Sequence, residues 1–409
     1  MDTPQPWLLI TGDFVQTGGM DVANYMLARH LALTHHEVHL VAHRVAADLA
    51  ALPGVHVHLV PKPLNSYLLG APLLDWCGRY WARKIAGRVL VNGGNCRWDD
   101  VNWVHYVHAA HAPEIKGSVL RRFKTRAQHR KDLADERNGL AQAKIILANS
   151  HRTKDDLIAR LGLPAEKIRV VYYGVDPAAF QPPTPEVRQA AREKLGWPSP
   201  RLKAVFIGAL GDRRKGFDLL TEAWRELCED AAWDVDLAVV GTGAELPAWG
   251  GRVEADAVLR GRIEFLGFRN DVPRILAAAD LLVAPARYEA YGLGVQEALC
   301  CGVPAITSKG AGVAERYPGH LISLLVDAPP TVAALIDRLR RWRAGHKELA
   351  AGAALASAEL RSRPWAIMGG EIVSCVEGVL ISPVAARADG GSPDRSGQPL
   401  GNARKATTE

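Results

Sequence analysis

Short apolar runs, each followed by a stretch with helical spacing, recur along almost the whole chain. The first covers residues 7–11, ahead of a Gly-containing loop and a helix predicted over 19–33. Runs at 38–42, 55–60, 88–92 and 102–107 follow, then a long charged helical stretch over 118–143, then runs at 144–148 and 168–172. Continuous apolar runs of this length read as strands buried on both faces. Their alternation with helices predicts a doubly wound parallel sheet. A second rhythm begins past residue 200, with strands predicted at 204–208, 237–241, 263–266, 281–285, 303–307 and 321–325. The chain is therefore α/β, with two Rossmann-like doubly wound parallel-sheet domains.

Between the two rhythms the composition changes. Pro182, Pro183, Pro185, Pro198 and Pro200 surround one short basic helix. The expected organisation is a first domain over 1–181, a linker over 182–200 and a second domain over 201–363. A helix over 364–382 follows, then a tail over 383–409. The tail is rich in Gly, Ser, Pro and charge and lacks an apolar period, so it is expected to be disordered.

A length of 409 residues suits two domains, and 48% hydrophobic with 23% charged residues is ordinary for a globular protein. No apolar run approaches the ~18 residues a membrane span needs. The apolar run at 7–11 is too short for a signal peptide and has no basic region before it. The six cysteines are scattered, with Cys300 and Cys301 adjacent and no Cys-x-x-Cys, which fits reduced, non-ligating thiols. A cytoplasmic location is expected. The net charge of +6 fits anionic small substrates or anionic lipid and does not by itself imply nucleic acid.

Candidate chemistry concentrates after the predicted strand at 281–285. The segment RYEAYGLGVQEALCCGVP places Glu289 in the loop at the strand's carboxyl end and Glu297 in the first turns of the next helix. In open α/β sheets ligands bind in that crevice. Two carboxylates there can accept hydrogen bonds from the vicinal hydroxyls of a ribose or a hexose. A second candidate is GALGDRRKGFDLL, in which a strand ends at Gly208 and a helix opens near Gly216. Arg213, Arg214 and Lys215 then lie near a helix N-terminus, and backbone N–H groups with cationic side chains make a pyrophosphate site. A third is the Gly18-Gly19 pair at the start of the first long helix, where the backbone can approach a ligand closely. A fourth is the predicted strand end at His108, with His105 in reserve. A histidine facing the cleft there can bind sugar hydroxyls or a nascent pyrophosphate. Gly241 follows another strand in a Gly-Thr-Gly loop, without the third glycine of a dinucleotide fingerprint.

The paired glutamates with the Cys-Gly-Val-Pro stop resemble the signature of retaining glycosyltransferases of the family 4 type. The Gly-Gly-Met opening resembles that family's first domain, and the resemblance runs from about residue 7 to 380. It implies a GT-B architecture, two such domains facing a cleft, with the helix over 364–382 crossing back onto the first domain. It implies transfer of a sugar from a nucleotide diphosphate sugar, of UDP or GDP type, to a hydroxyl acceptor, and no metal or other cofactor. Glu297 would bind the ribose and Glu289 the donor sugar. Gly18, Gly19, Arg213, Arg214, Lys215, Gly292 and Leu293 would contact the donor, and His108, Glu289 and Lys215 would serve catalysis. The family's Arg directly after the strand glycine is replaced by Ala209, so Arg213 or Arg214 is expected to supply that guanidinium. Acceptors of this class include lipid-linked hydroxyl compounds. The stretch 115–131 carries seven Lys/Arg and no acid, with Leu120 and Phe123 at helical spacing. It suits peripheral contact with anionic membrane at the inner face. The alternatives are a sugar-nucleotide epimerase of the same fold and a non-catalytic nucleotide-sugar-binding relative. A nicotinamide-dependent dehydrogenase would need a complete Gly-x-Gly-x-x-Gly.

Overall fold

The computed structural model describes residues 5–114, 119–197 and 201–378. The tail over 383–409, the end of the helix expected over 364–382 and the first part of the basic stretch lie outside them. The first domain holds β1 (Trp7–Ile10), β2 (Asp13–Phe14), β3 (Val38–Ala42), β4 (Arg44–Val45), β5 (Val55–Leu59), β6 (Arg88–Asn92), β7 (Val101–Val104), β8 (Ile145–Ala148) and β9 (Ile168–Val170). Seven of these make one sheet in the order β5-β3-β1-β6-β7-β8-β9, and β2 pairs with β4 beside it. The central strands are buried along their whole length, which is why they read as unbroken apolar runs.

The second domain holds β10 (Leu202–Ile207), β11 (Val235–Val240), β12 (Ile263–Gly267), β13 (Leu281–Ala284), β14 (Ala305–Ser308) and β15 (Leu325–Val326). Their order is β12-β11-β10-β13-β14-β15, all parallel. In each sheet the strand order reverses beside the first strand, so a switch-point crevice opens at the carboxyl ends of β1 and β6 and of β10 and β13.

Two expectations need correction. The strand predicted over 102–107 ends at Val104, because its partner β8 ends opposite it at Ala148. The chain then leaves the sheet, and His108 opens a single 3-10 turn, His108–Ala110. The strand predicted over 321–325 is mostly a 3-10 turn, Gly319–Leu324, which buries Leu321 and Leu324 at i, i+3 spacing. The helix in the expected linker, Pro185–Lys194, is anchored to the second domain: Arg188 and Arg192 both pair with Asp280. The helix Trp365–Glu377 returns to the first domain. There it buries Met368 and Ile372 in the core beneath the Gly19–Leu33 helix, and Trp7 Nε1 donates to Glu377 at 3.2 Å.

Candidate active site

Strands β10 and β13 are direct neighbours, so the loops after them lie side by side. The first loop ends in a 3-10 turn, Arg213–Lys215, and Gly216 caps the helix Phe217–Cys228. Gly216 has φ 74°, and a Cβ on it would fall 2.0 Å from the Pro285 carbonyl oxygen, so only glycine lets the two loops touch. That contact sets the key geometry. Lys215 Nζ lies 2.5 Å from Glu289 Oε2, and Arg214 Nη1 lies 3.4 Å from the same oxygen. Arg214 also pairs with Asp212 at 2.9 Å and donates to the Tyr288 carbonyl at 3.1 Å.

Arg213 points elsewhere. It pairs with Asp218 at 2.9 Å, and Asp218 is gripped by Arg287 through two bonds of 2.7 and 2.9 Å. Arg287 also donates to the Arg213 carbonyl at 2.6 Å. Of the two arginines left open by the sequence, Arg214 shares the carboxylate with Lys215, and Arg213 belongs to the buttress that fixes the loop. Behind this loop, Gly241 has φ 140°, and a Cβ there would lie 1.9 Å from the Gly208 carbonyl oxygen. The Gly-Thr-Gly turn therefore packs directly on the basic loop.

The two glutamates occupy opposite electrostatic states. Burial alone would raise the Glu289 carboxyl, but Lys215 and Arg214 outweigh it and hold the group below its usual value. Glu297, on the helix Leu293–Cys300, has no hydrogen-bond or ion-pair partner among the described residues, and burial pushes its carboxyl up to about 8. Gly292, at φ 107°, caps this helix, and Leu293 packs across the cleft on Gly19, which would place a Cβ 3.6 Å from it. The structure thus brings Gly18 and Gly19 of the first domain to the helix that carries Glu297.

The histidines are placed differently from expectation. His105 is buried, its Nδ1 meets the Tyr173 hydroxyl, and burial drives its pKa down to about 3. It is a neutral core histidine. His108 is half-buried; its ring lies against Tyr106, and its backbone N–H donates to Glu136 at 2.8 Å. Burial lowers its pKa, and Asp132 of the Val119–Gln142 helix opposes that shift.

Sequence reasoning missed the aromatic side chains beside the basic loop. Tyr288 packs edge-on against Tyr106, and its hydroxyl accepts from the Val107 N–H at 3.3 Å. Arg214 lies over the Tyr106 ring at 5.3 Å. Tyr288 was readable from its place just before Glu289; Tyr106 was not, because its role depends on the other domain. Also missed was a polar cluster at the carboxyl ends of β1 and β3. Asp13 is held by Arg44 at 2.7 Å and by the Tyr67 hydroxyl at 2.5 Å, and Lys62 lies over the Tyr67 ring at 4.0 Å. Asp21, in the first turn of the Gly19–Leu33 helix, is pushed up to about 7 by burial and by Asp13.

The two domains are in direct contact. Glu315 accepts from the N–H groups of His151 and Arg152 at 2.9 and 2.6 Å, which open the helix His151–Leu161. Ser150 Oγ donates to the Ala290 carbonyl at 2.7 Å, one residue past Glu289. Asp234 and Asp236, which imitate a metal-binding Asp-x-Asp, are instead paired with Arg343 and with Arg201 and Arg262. Among the described residues, Glu37, His39 and His56 are close enough to share an ion. They lie on β3, β5 and the turn before β3, at the edge of the first sheet.

Residues 17–179 match the family described as Glycosyltransferase Family 4, and residues 201–343 match Glycosyl transferases group 1. The D-inositol 3-phosphate glycosyltransferase of Salinispora tropica is 30% identical over 355 residues, covering 79% of this chain and 73% of that protein. Its counterpart from Salinispora arenicola is 29% identical over 363 residues, covering 80% of each. Among solved structures, WaaG, a glycosyltransferase involved in lipopolysaccharide biosynthesis, superposes with a TM-score of 0.75 at 21% identity. The superposition covers 91% of this chain and all (100%) of that one. Anabaena HepE, solved with UDP and glucose, gives 0.68 at 18% identity, covering 92% of this chain and 100% of that one. At these identities the likeness shows the fold, two parallel-sheet α/β domains of the GT-B kind.

Proposed function

The chain belongs to the group 1, family 4 glycosyltransferases, and on that premise we propose that it moves a sugar, with retention, from a nucleotide diphosphate sugar to a hydroxyl acceptor. The observation that carries this reading is the convergence of Lys215 and Arg214 on Glu289 beside the open carboxyl of Glu297. Glu297 receives the two ribose hydroxyls. The diphosphate lies over the basic loop, where Lys215, Arg214 and the N-terminus of the helix Phe217–Cys228 face it. Glu289 orients the donor sugar and holds the Lys215 ammonium in place at 2.5 Å.

In the reaction the bond from the anomeric carbon to the phosphate oxygen breaks, and its electron pair passes to the diphosphate. The acceptor oxygen bonds to the same face of that carbon, and its proton goes to the departing phosphate. Fixed cations stabilise the charge as it develops, so the barrier falls without a metal. Tyr106 and Tyr288 close the wall between the domains and exclude water. The acceptor enters from the first-domain side, past the Asp13, Arg44 and Tyr67 cluster. His108 serves turnover from that side. Contact of residues 115–131 with anionic membrane belongs to the same reading. Its support is the exposed Val119 and Phe123 on a basic helix.

A thermal-shift panel of UDP-, GDP- and ADP-sugars in EDTA tests the assignment, because a ligand at 100 times its Kd stabilises the fold by about 2.7 kcal/mol. One donor should stabilise the wild type and lose most of that effect in Glu297→Ala. No response to any nucleotide sugar would remove the reading. Binding seen only after Mg²⁺ or Mn²⁺ is added would remove its metal-free part. The anomeric configuration of the product, read by NMR, decides retention.

A further inference from the structure

Among the described residues, seventeen large hydrophobic side chains are exposed, and eight of them fall between Leu59 and Tyr80. Leu59 ends β5, and the other seven ride on the 3-10 turn Pro63–Asn65 and on the outer face of the helix Tyr67–Lys84. Leu69, Leu73, Trp76 and Tyr80 follow helical spacing along one stripe, with Trp76 62% exposed. Leu64 is 92% exposed, on a backbone at φ 51° that leucine rarely adopts. Together these side chains present on the order of 700–800 Å² of apolar-rich surface, beyond the ~300–600 Å² of the largest patch on a typical monomer.

We infer that this face docks the protein on an anionic lipid bilayer. Charge decides between a bilayer and a second copy of the chain. The exposed charges on this helix are Arg83 and Lys84 at its end, and Lys84 lies over the Tyr80 ring at 4.6 Å. The one acid in the stretch, Asp75, is turned inward to Arg79 and Arg97. Antiparallel self-pairing would set Lys62 of one copy near Lys84 of the other with no countercharge. An apolar stripe with Trp, Tyr and terminal cations instead matches the acyl and headgroup layers of a bilayer.

The face is also continuous with the cleft. The helix starts at Tyr67, whose hydroxyl bonds Asp13 at the carboxyl end of β1. It ends beside the far edge of the sheet, where Trp81 stacks on His58. A helix lying flat on a bilayer therefore brings the mouth of the acceptor side to the lipid surface. An amphiphile could keep its chains in the membrane while its head group enters beside Arg44 and Lys62. This last step deepens the transferase reading and rests on it; the docking itself does not.

Flotation with vesicles of phosphatidylcholine, with and without phosphatidylglycerol, tests the docking in the absence of donor and acceptor. The wild type should float with the anionic vesicles, and Leu73→Glu/Trp76→Glu should cut that partition at least tenfold. Arg83→Glu/Lys84→Glu should abolish the preference for anionic over neutral lipid. Both side-chain pairs are exposed, so the melting temperature and turnover on a water-soluble acceptor should hold, which separates lost docking from lost folding or catalysis. Three results would overturn the inference: a wild type that stays soluble with both vesicles, a Leu73→Glu/Trp76→Glu variant that floats normally, and a loss of flotation reproduced only by Phe123→Glu. A dimer in sedimentation velocity that Leu73→Glu/Trp76→Glu dissociates would also overturn it and assign the face to self-association.

Discussion

Glu297 makes the most exposed prediction of the site, because its ligand-free state and its proposed role conflict. Burial pushes the carboxyl up to about 8, and no described partner holds its charge. A carboxyl held near 8 is mostly protonated at pH 7. Two ribose hydroxyls donating to it favour the carboxylate, so donor binding must expel this proton. Each pH unit below 8 then costs about 1.4 kcal/mol, or tenfold in affinity. Between pH 8 and pH 6 the Kd for the correct nucleotide sugar should rise roughly 50-fold, and above pH 8 it should level off. An intact nucleotide sugar is the right probe, since its diphosphate diester has no proton titrating in this window. Calorimetry in two buffers of different ionisation enthalpy should show close to one proton released at pH 7. Glu297→Gln should flatten the pH dependence and release none. The stability of the ligand-free protein gives an independent check. A folded-state pKa raised from 4.5 to about 8 contributes stability that is full below pH 4.5 and lost as pH rises through 8. After discount for partial solvation, that loss should be on the order of 2–4 kcal/mol and absent in Glu297→Gln. A pH-independent Kd with no proton release, in a wild type that does bind donor, would refute this reasoning and place the ribose elsewhere.

Lys215→Ala should lower kcat by ~10²–10³ and change the donor KM little, because the cation matters most as charge develops on the diphosphate; steady-state kinetics with a raised KM alone would assign Lys215 to plain binding. Arg214→Ala should behave like Lys215→Ala, whereas Arg213→Ala should act mainly on stability by leaving buried Asp218 with fewer partners. Chemical denaturation and kinetics on the two variants separate these roles, and identical profiles would contradict the division between site and buttress. His108→Ala should reduce turnover at unchanged nucleotide affinity, and a variant with wild-type turnover would end its catalytic candidacy. His105→Ala should destabilise the fold by about 1–3 kcal/mol, because the buried Tyr173 hydroxyl keeps Asn149 as a donor but loses the acceptor for its own proton.

Much of this protein was legible in the chain itself. Strands buried on both faces leave unbroken apolar runs, so β1, β3, β6 and β13 and the helix Gly19–Leu33 could be placed almost to the residue. The placement of the candidate site was legible where it is local: Lys215, Glu289 and Glu297 follow strands whose carboxyl ends must open on a crevice. What the sequence could not decide depends on contacts between distant segments. Arg213 and Arg214 are chemically identical neighbours, and only the meeting of Asp218 with Arg287 turns one away from Glu289. In sequence His105 reads as lying inside the strand over 102–107 and His108 as its end. Strand length is set by the partner β8, so one histidine became buried core and the other began a turn. Tyr106 gained its place only when Tyr288 of the other domain came against it. The apolar face of Tyr67–Lys84 was equally hidden, since a leucine-rich helix looks the same in sequence whether the fold covers it or leaves it bare. Local pattern fixes which elements form; which side chains they bring together is set by packing between segments that the pattern does not encode.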